Sequence, residues 1–202
     1  WNLTCDETGG DYYDFFELSG NRFGLAVGDV SGHGVGAALL MATARAFLKA
    51  LAKKSKQITV MMNELNQLLE QDMEYDKFMT LFYGELDVKN LTLRYANAGH
   101  DAPLLYRCRE DVFEELEGTG IPLGMMDDFE YEEGEKIKLK LGDILVLSTD
   151  GITESMNPQG EQFGADRLKE VIRQCARKSA NQIIRSCYDQ VQKFCQGTAQ
   201  RD

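Results

Sequence analysis

The chain has 202 residues, 43% of them apolar, and a formal charge of −11 from 22 Lys and Arg against 33 Asp and Glu. This length suits one globular domain with its own core. The charge opposes nucleic acid, whose phosphates are held by clustered Lys and Arg.

Residues 11–18 and 22–30 are β-rich runs joined by Ser19-Gly20-Asn21, a hairpin turn, which would put Asp11 and Asp29 at the same end of adjacent antiparallel strands. Apolar residues then recur every three or four positions. This predicts a helix over 35–54 with a Lys-rich C-terminal end, and a second over 59–73. Strand patterns follow at 78–88, 91–98, 103–107, 112–116, 135–139 and 143–148, with turns at Asp87–Asn90 and Leu141-Gly142-Asp143. Helices return at 165–178 and 180–195. Many antiparallel strands with helices grouped before and after them predict an α+β layered fold rather than βαβ units.

No apolar run is expected to reach the ~20 residues of a bilayer span, and Trp1-Asn2-Leu3-Thr4-Cys5-Asp6-Glu7 lacks the regions of a signal peptide. The expected compartment is the cytoplasm, with no membrane segment. Cys5, Cys108, Cys175, Cys187 and Cys195 form no CxxC pair and read as reduced thiols rather than a disulfide or zinc framework. The acidic run 127–135 reads as a solvated loop.

Chemistry concentrates at Gly10-Asp11, at Gly28-Asp29-Val30-Ser31-Gly32-His33-Gly34, and at Ser148-Thr149-Asp150-Gly151. Carboxylates at the ends of apolar runs can converge on hard divalent cations, which need several oxygens within about 2.0–2.6 Å. Asp29, leaving the buried run 23–27, needs a cation or donor nearby, whereas Asp150-Gly151 taken alone reads as a hairpin turn. Asp14 and Asp143 read as polar strand or turn residues. Tyr12, Tyr13, Phe15 and Phe16 alternate between two sheet faces. His33 and His100 could each act as a general acid, but both adjoin glycine in tight turns, where an imidazole holds a loop.

Gly9-Gly10-Asp11-Tyr12-Tyr13-Asp14, Asp29-Val30-Ser31-Gly32-His33-Gly34, Phe78-Met79-Thr80, Asn97-Ala98-Gly99-His100, Pro122-Leu123-Gly124, Gly142-Asp143, Thr149-Asp150-Gly151-Ile152-Thr153-Glu154 and Phe163-Gly164 with Arg167-Leu168 occur in that order. Together they resemble the PPM-type metal-dependent Ser/Thr protein phosphatases, in their bacterial SpoIIE/RsbU-like branch, over nearly the whole chain. The resemblance implies an α/β/β/α sandwich of two antiparallel β-sheets flanked by helices, with two Mn2+ or Mg2+ ions at one end. It implies that Asp29 bridges both ions, that the Val30 carbonyl adds a ligand, and that Asp11, Asp150 and Asp202 complete the set, so that Asp11, Asp29 and Asp150 carry catalysis through a water between the metals. Gly32, His33 and Gly151 would bind the substrate phosphate.

The family's closing strand would lie beyond Asp202, so the single domain 1–202 is expected to be a piece of a longer multidomain protein. By the same resemblance the substrate would be a phosphorylated STAS-type anti-sigma-factor antagonist. An attached sensor or receiver domain would act through the two helices after Asp29, and a homodimer is among the assemblies allowed. The alternative in the same fold is a catalytically silent or partner-activated interaction domain. A nucleotide cyclase is suggested only by Gly9-Gly10-Asp11, and Tyr12-Tyr13 speaks against it.

Overall fold

The computed structural model describes residues 9–55, 57–73 and 77–196. In chain order the elements are β1 (Tyr12–Glu17), β2 (Arg22–Val30), α1 (Gly34–Lys54), α2 (Ile58–Asp72), β3 (Met79–Asp87), β4 (Thr92–Ala98), β5 (Leu104–Arg107), β6 (Val112–Glu115), β7 (Ile137–Lys138), β8 (Ile144–Val146), α3 (Asp150–Thr153), α4 (Gly164–Cys175) and α5 (Ala180–Cys195). Its contacts divide the chain into two compact units, one running through Ala102 and including Leu116–Leu139, the other comprising Pro103–Glu115 and the chain from Lys140 onward.

The first unit carries an antiparallel sheet in the order β1-β2-β3-β4-β7. The period of two sends Tyr12, Phe16, Ala26, Val30, Leu81 and Tyr83 to one face, where they share a core with α1 and α2. Tyr13 and Phe15 take the other face and remain exposed, as their alternation predicts. α2 contributes Met62, Leu65 and Leu69, each fully buried, and each such burial stabilises the fold by about 1.5–3 kcal/mol.

α1 corrects one expectation. With 21 residues and a mean hydropathy of 1.5, it is long and apolar enough by composition to cross a membrane. Ala37, Ala44, Leu48 and Ala52 pack into the core, and Lys49 and Arg45 pair with Asp14. One stripe of the helix packs into the core of this unit, while Val35 and Leu39 on the rest of it stay exposed.

The segment between β6 and β7 corrects another. The acidic run is not simply a solvated loop: Tyr131 is buried, its N–H donates to Asn63 Oδ1 (2.9 Å), and Glu133 accepts two hydrogen bonds from the Arg94 guanidinium. Asn66, buried in α2, accepts from Gly124 N (2.8 Å) and donates to Met126 O (2.7 Å). Charge composition reports exposure of the carboxylates and misses the aromatic and asparagine anchors among them.

The second unit has a three-stranded antiparallel sheet in the order β6-β5-β8. Its core joins Tyr106 to the facing sides of α4 (Leu168, Ile172) and α5 (Ile183, Val191). Asp150-Gly151 is not a hairpin. Asp150 opens the short helix α3, and its carbonyl accepts from Glu154 N (2.8 Å).

Candidate functional site

β1 and β2 pair with Tyr12 opposite Gly28, and β2 and β3 pair with Asp29 opposite Thr80. Val30 N donates to Gly10 O (3.4 Å), carrying the ladder one step past Tyr12. Asp11 therefore stands opposite Asp29. Opposed residues in an antiparallel pair project from the same face, so Asp11, Asp29 and Thr80 form a row across three strands, on the face turned away from α1 and α2. Like charges set opposite one another destabilise a ladder, and a cation joining them reverses the sign.

A Cβ on Gly10 would stand 2.5 Å from Val30 O and 3.0 Å from Asp29 Oδ1. The glycine leaves open a cradle where a carbonyl and a carboxylate oxygen converge. An all-oxygen donor set of this kind fits a hard divalent ion such as Mg2+ or Mn2+. Among the described residues no three His, Cys, Asp or Glu gather into a complete site. What the described residues bring together here is the opposed pair Asp11 and Asp29 with the Val30 carbonyl beside Gly10. Asp150 and Gly151 belong to the second unit, and Asp202 lies outside the described residues.

Past Val30 the chain turns sharply into α1. Ser31 N donates to Phe78 O (2.9 Å) and Phe78 N to Ser31 Oγ (3.0 Å), which closes the end of the β2–β3 pair. Gly32 adopts φ +88°, a left-handed conformation open to glycine. A Cβ there would lie 2.9 Å from Lys77 Nζ, so an ammonium stands against the turn. His33 is the exposed N-cap of α1, and its side chain does not cap the helix.

His100 is buried, and its Nδ1 lies 2.9 Å from Thr80 Oγ1. Asn97 holds the His100 backbone from both sides, accepting from its N–H (2.8 Å) and donating to its carbonyl (2.9 Å). The loop is held by Asn97 rather than by the imidazole, whose ring meets the Thr80 hydroxyl instead of a backbone group. Asp14, expected to be a polar strand residue, pairs with Lys49 and Arg45. Burial alone would raise its carboxyl, but Lys49, Tyr12 and Arg45 outweigh it and hold the group below its usual range. Tyr12 is pushed far up, first by burial and then by Asp14, and remains a neutral hydroxyl donating to Asp14 Oδ2 (3.2 Å).

The stage II sporulation protein E (SpoIIE) family matches residues 19–202. The chain belongs to the SpoIIE family. Phosphoserine phosphatase RsbU of Bacillus subtilis (strain 168) is 29% identical over 193 residues, covering 96% of this chain and 57% of RsbU. Phosphoserine phosphatase RsbP of the same organism is 30% identical over 168 residues, 81% of this chain and 40% of RsbP. The chain thus spans only part of the length of these relatives. Among solved structures, the SiaA-PP2C domain of Pseudomonas aeruginosa superposes with a TM-score of 0.85 at 24% identity, over 98% of this chain and 79% of that one. The RsbU and RsbW domains of Rv1364c from Mycobacterium tuberculosis give a TM-score of 0.79 at 28% identity, over 98% and 53%. The fold is that of PP2C phosphatase domains, two antiparallel sheets with flanking helices, as the sequence resemblance implied.

Two parts of the site escape sequence reasoning. The placement of Thr80 opposite Asp29 depends on a register between strands some fifty residues apart, and the cradle at Gly10 depends on a missing atom. Phe78-Met79-Thr80 and Gly9-Gly10-Asp11 mark the neighbourhoods without stating either role.

Proposed function

We propose that this domain is a metal-dependent protein serine/threonine phosphatase that hydrolyses phosphoserine or phosphothreonine on a regulatory protein, of the STAS-type anti-sigma-factor antagonist class. The observation that carries this reading is the opposition of Asp11 and Asp29 beside the oxygen-lined cradle at Gly10. The printed names of RsbU and RsbP, both phosphoserine phosphatases, support the reaction class.

In this reading Asp29 and the Val30 carbonyl hold the divalent ions together with Asp11, Asp150 and Asp202. A pair of such ions, when bound, supplies an activated water and neutralises charge on the phosphoryl oxygens. The protein's own share is to fix oxygen donors on a rigid sheet end and to receive the phosphate. Gly32 lets the backbone approach closely, His33 stands exposed at the start of α1, and Gly151 is the third residue assigned to the phosphate. The chain 1–202 acts as a single domain, with ions that are manganese or magnesium, in the cytoplasm. An attached sensor or receiver domain reaches the site through α1 and α2, and a homodimer is among the assemblies this reading allows.

Manganese-dependent hydrolysis of p-nitrophenyl phosphate, measured beside Asp29→Ala, tests the reaction. Turnover that requires the metal and vanishes in the variant supports the phosphatase. A folded protein that binds manganese yet turns over nothing, in either form, favours the silent or partner-activated domain instead.

A further inference from the structure

Thr80 is the cross-strand partner of Asp29. In an antiparallel pair the Cβ atoms of such partners lie about 4.5–5.5 Å apart on one face, so the Thr80 side chain stands beside the Asp29 carboxylate. Thr80 Oγ1 lies 3.5 Å from the Asp29 carbonyl oxygen and 2.9 Å from His100 Nδ1. A threonine has few χ1 states, and the imidazole selects the one that turns the hydroxyl toward His100 and the β2 backbone.

The imidazole itself is held. His100 is buried, and both of its backbone polar groups are taken by the Asn97 side chain. Asn97 is fully buried, its N–H donates to Thr119 Oγ1 (2.9 Å), and its carbonyl accepts from Thr119 N (3.0 Å). Gly99 completes the turn at φ +66°, with Pro122 so close that a Cβ would meet it at 2.6 Å. A connected set of hydrogen bonds thus runs from Thr119 through Asn97 and His100 to Thr80, ending beside Asp29.

We infer that Thr80, braced by His100 and Asn97, is a positioning residue for Asp29, fixing the strand end and carboxylate so that the metal oxygens are arranged before an ion arrives. The inference rests on the proposal that Asp29 holds divalent metal. Hydrogen-bonded supports of this kind govern affinity through the ligand they orient, and losing one typically weakens metal binding 10–100-fold. A strut serving only the fold would instead lower thermal stability and leave ion affinity alone.

The test is manganese binding by calorimetry, with thermal melting in parallel, for the wild type, Thr80→Val and Thr80→Ser. Valine keeps the shape and strand preference and removes the hydroxyl, whereas serine restores it. The expected result is at least tenfold weaker manganese binding in Thr80→Val with a melting temperature near that of the wild type, and recovery of most of the affinity in Thr80→Ser. Equal affinity in the wild type and Thr80→Val overturns the positioning role while leaving the metal site standing. Failure of the wild type to bind manganese overturns the metal reading, and the positioning role falls with it. If Thr80→Val does not fold, Thr80→Ser and His100→Asn carry the same comparison: unchanged affinity in folded His100→Asn overturns the inference, and a tenfold loss there with full affinity in Thr80→Ser supports it.

Discussion

Lys49 Nζ lies 2.9 Å from Asp14 Oδ2, tying the middle of α1 to the edge strand β1. Asp14 is held below its usual range in the folded protein. Its pairing therefore adds stability above the ordinary carboxylate pKa, and that stability is lost as the pH falls through the lower, folded value. Asp14→Asn should lower the urea midpoint at pH 7 by an amount worth no more than about 1 kcal/mol, since Lys49 and Arg45 remain partly in water. The gap between variant and wild type should close as the pH is lowered into the acid range. A gap that stays constant across that range would show that Asp14 acts through something other than its charge.

The cradle at Gly10 can be tested by filling it. A methyl group there would press on the Val30 carbonyl and on the Asp29 carboxylate. Gly10→Ala should cost about 1–3 kcal/mol of stability, as overpacking does, and should weaken manganese uptake in the protein that still folds. Unaltered binding in a folded Gly10→Ala protein would show that the converging oxygens are not metal ligands.

In the second unit, Asp143 is almost fully buried and accepts from Arg107 Nη1 (2.7 Å) and Lys140 N (2.9 Å). Asp143→Ala removes one of the two carboxylates on a largely buried guanidinium, which keeps its two hydrogen bonds to Glu114, and should destabilise by about 1–3 kcal/mol. The double change Arg107→Met with Asp143→Leu should recover part of that loss, because neither buried polar group then remains to be satisfied. Chemical denaturation of the wild type and these two variants gives the comparison.

Cys175, Cys187 and Cys195 are buried where α4 meets α5, and Cys108 is half-buried. Burial, with the neighbouring Cys175 thiol, pushes Cys187 up to about 11. Neither access nor thiolate is present at neutral pH. Alkylation of Cys187 by iodoacetamide, read by mass spectrometry, should follow global unfolding as denaturant is raised. Labelling as fast as that of a small free thiol would contradict the packing of the two helices.

α1 begins directly after Ser31-Gly32-His33, which follow the proposed ligand Val30, and it leaves Val35 and Leu39 exposed. If control enters through this helix, substitutions along residues 37–51 should change turnover of p-nitrophenyl phosphate while manganese affinity holds. Turnover indifferent to a set of such changes would remove α1 from the regulatory reading.

Much of the fold was legible because it is local. The hairpin around Gly20 and the three- and four-residue recurrence of α1 and α2 each lie within a short window, so the pairing of Asp11 with Asp29 could be anticipated. Thr80 could not be placed, since nothing near it states which residue of β2 it will face. The strands expected at 135–139 and 143–148 shrink to Ile137–Lys138 and Ile144–Val146, because apolar alternation marks suitable residues and not the length over which a neighbour exists to bond them. The helical turn at Asp150 was hidden by the turn chemistry that Asp-Gly shares with hairpins.

Asn66 binds the chain at Gly124 and Met126 from inside α2, while Asn63 takes the N–H of Tyr131. A stretch without regular secondary structure is thereby fastened to a helix that is itself packed in the core. The amides of Gly124 and Tyr131 can exchange with deuterium only when α2 comes away, so their protection should match that of a core helix rather than that of a surface connection. A protease with a taste for acidic residues would find abundant Glu here and still cut slowly, its rate set by the opening of the helix beneath.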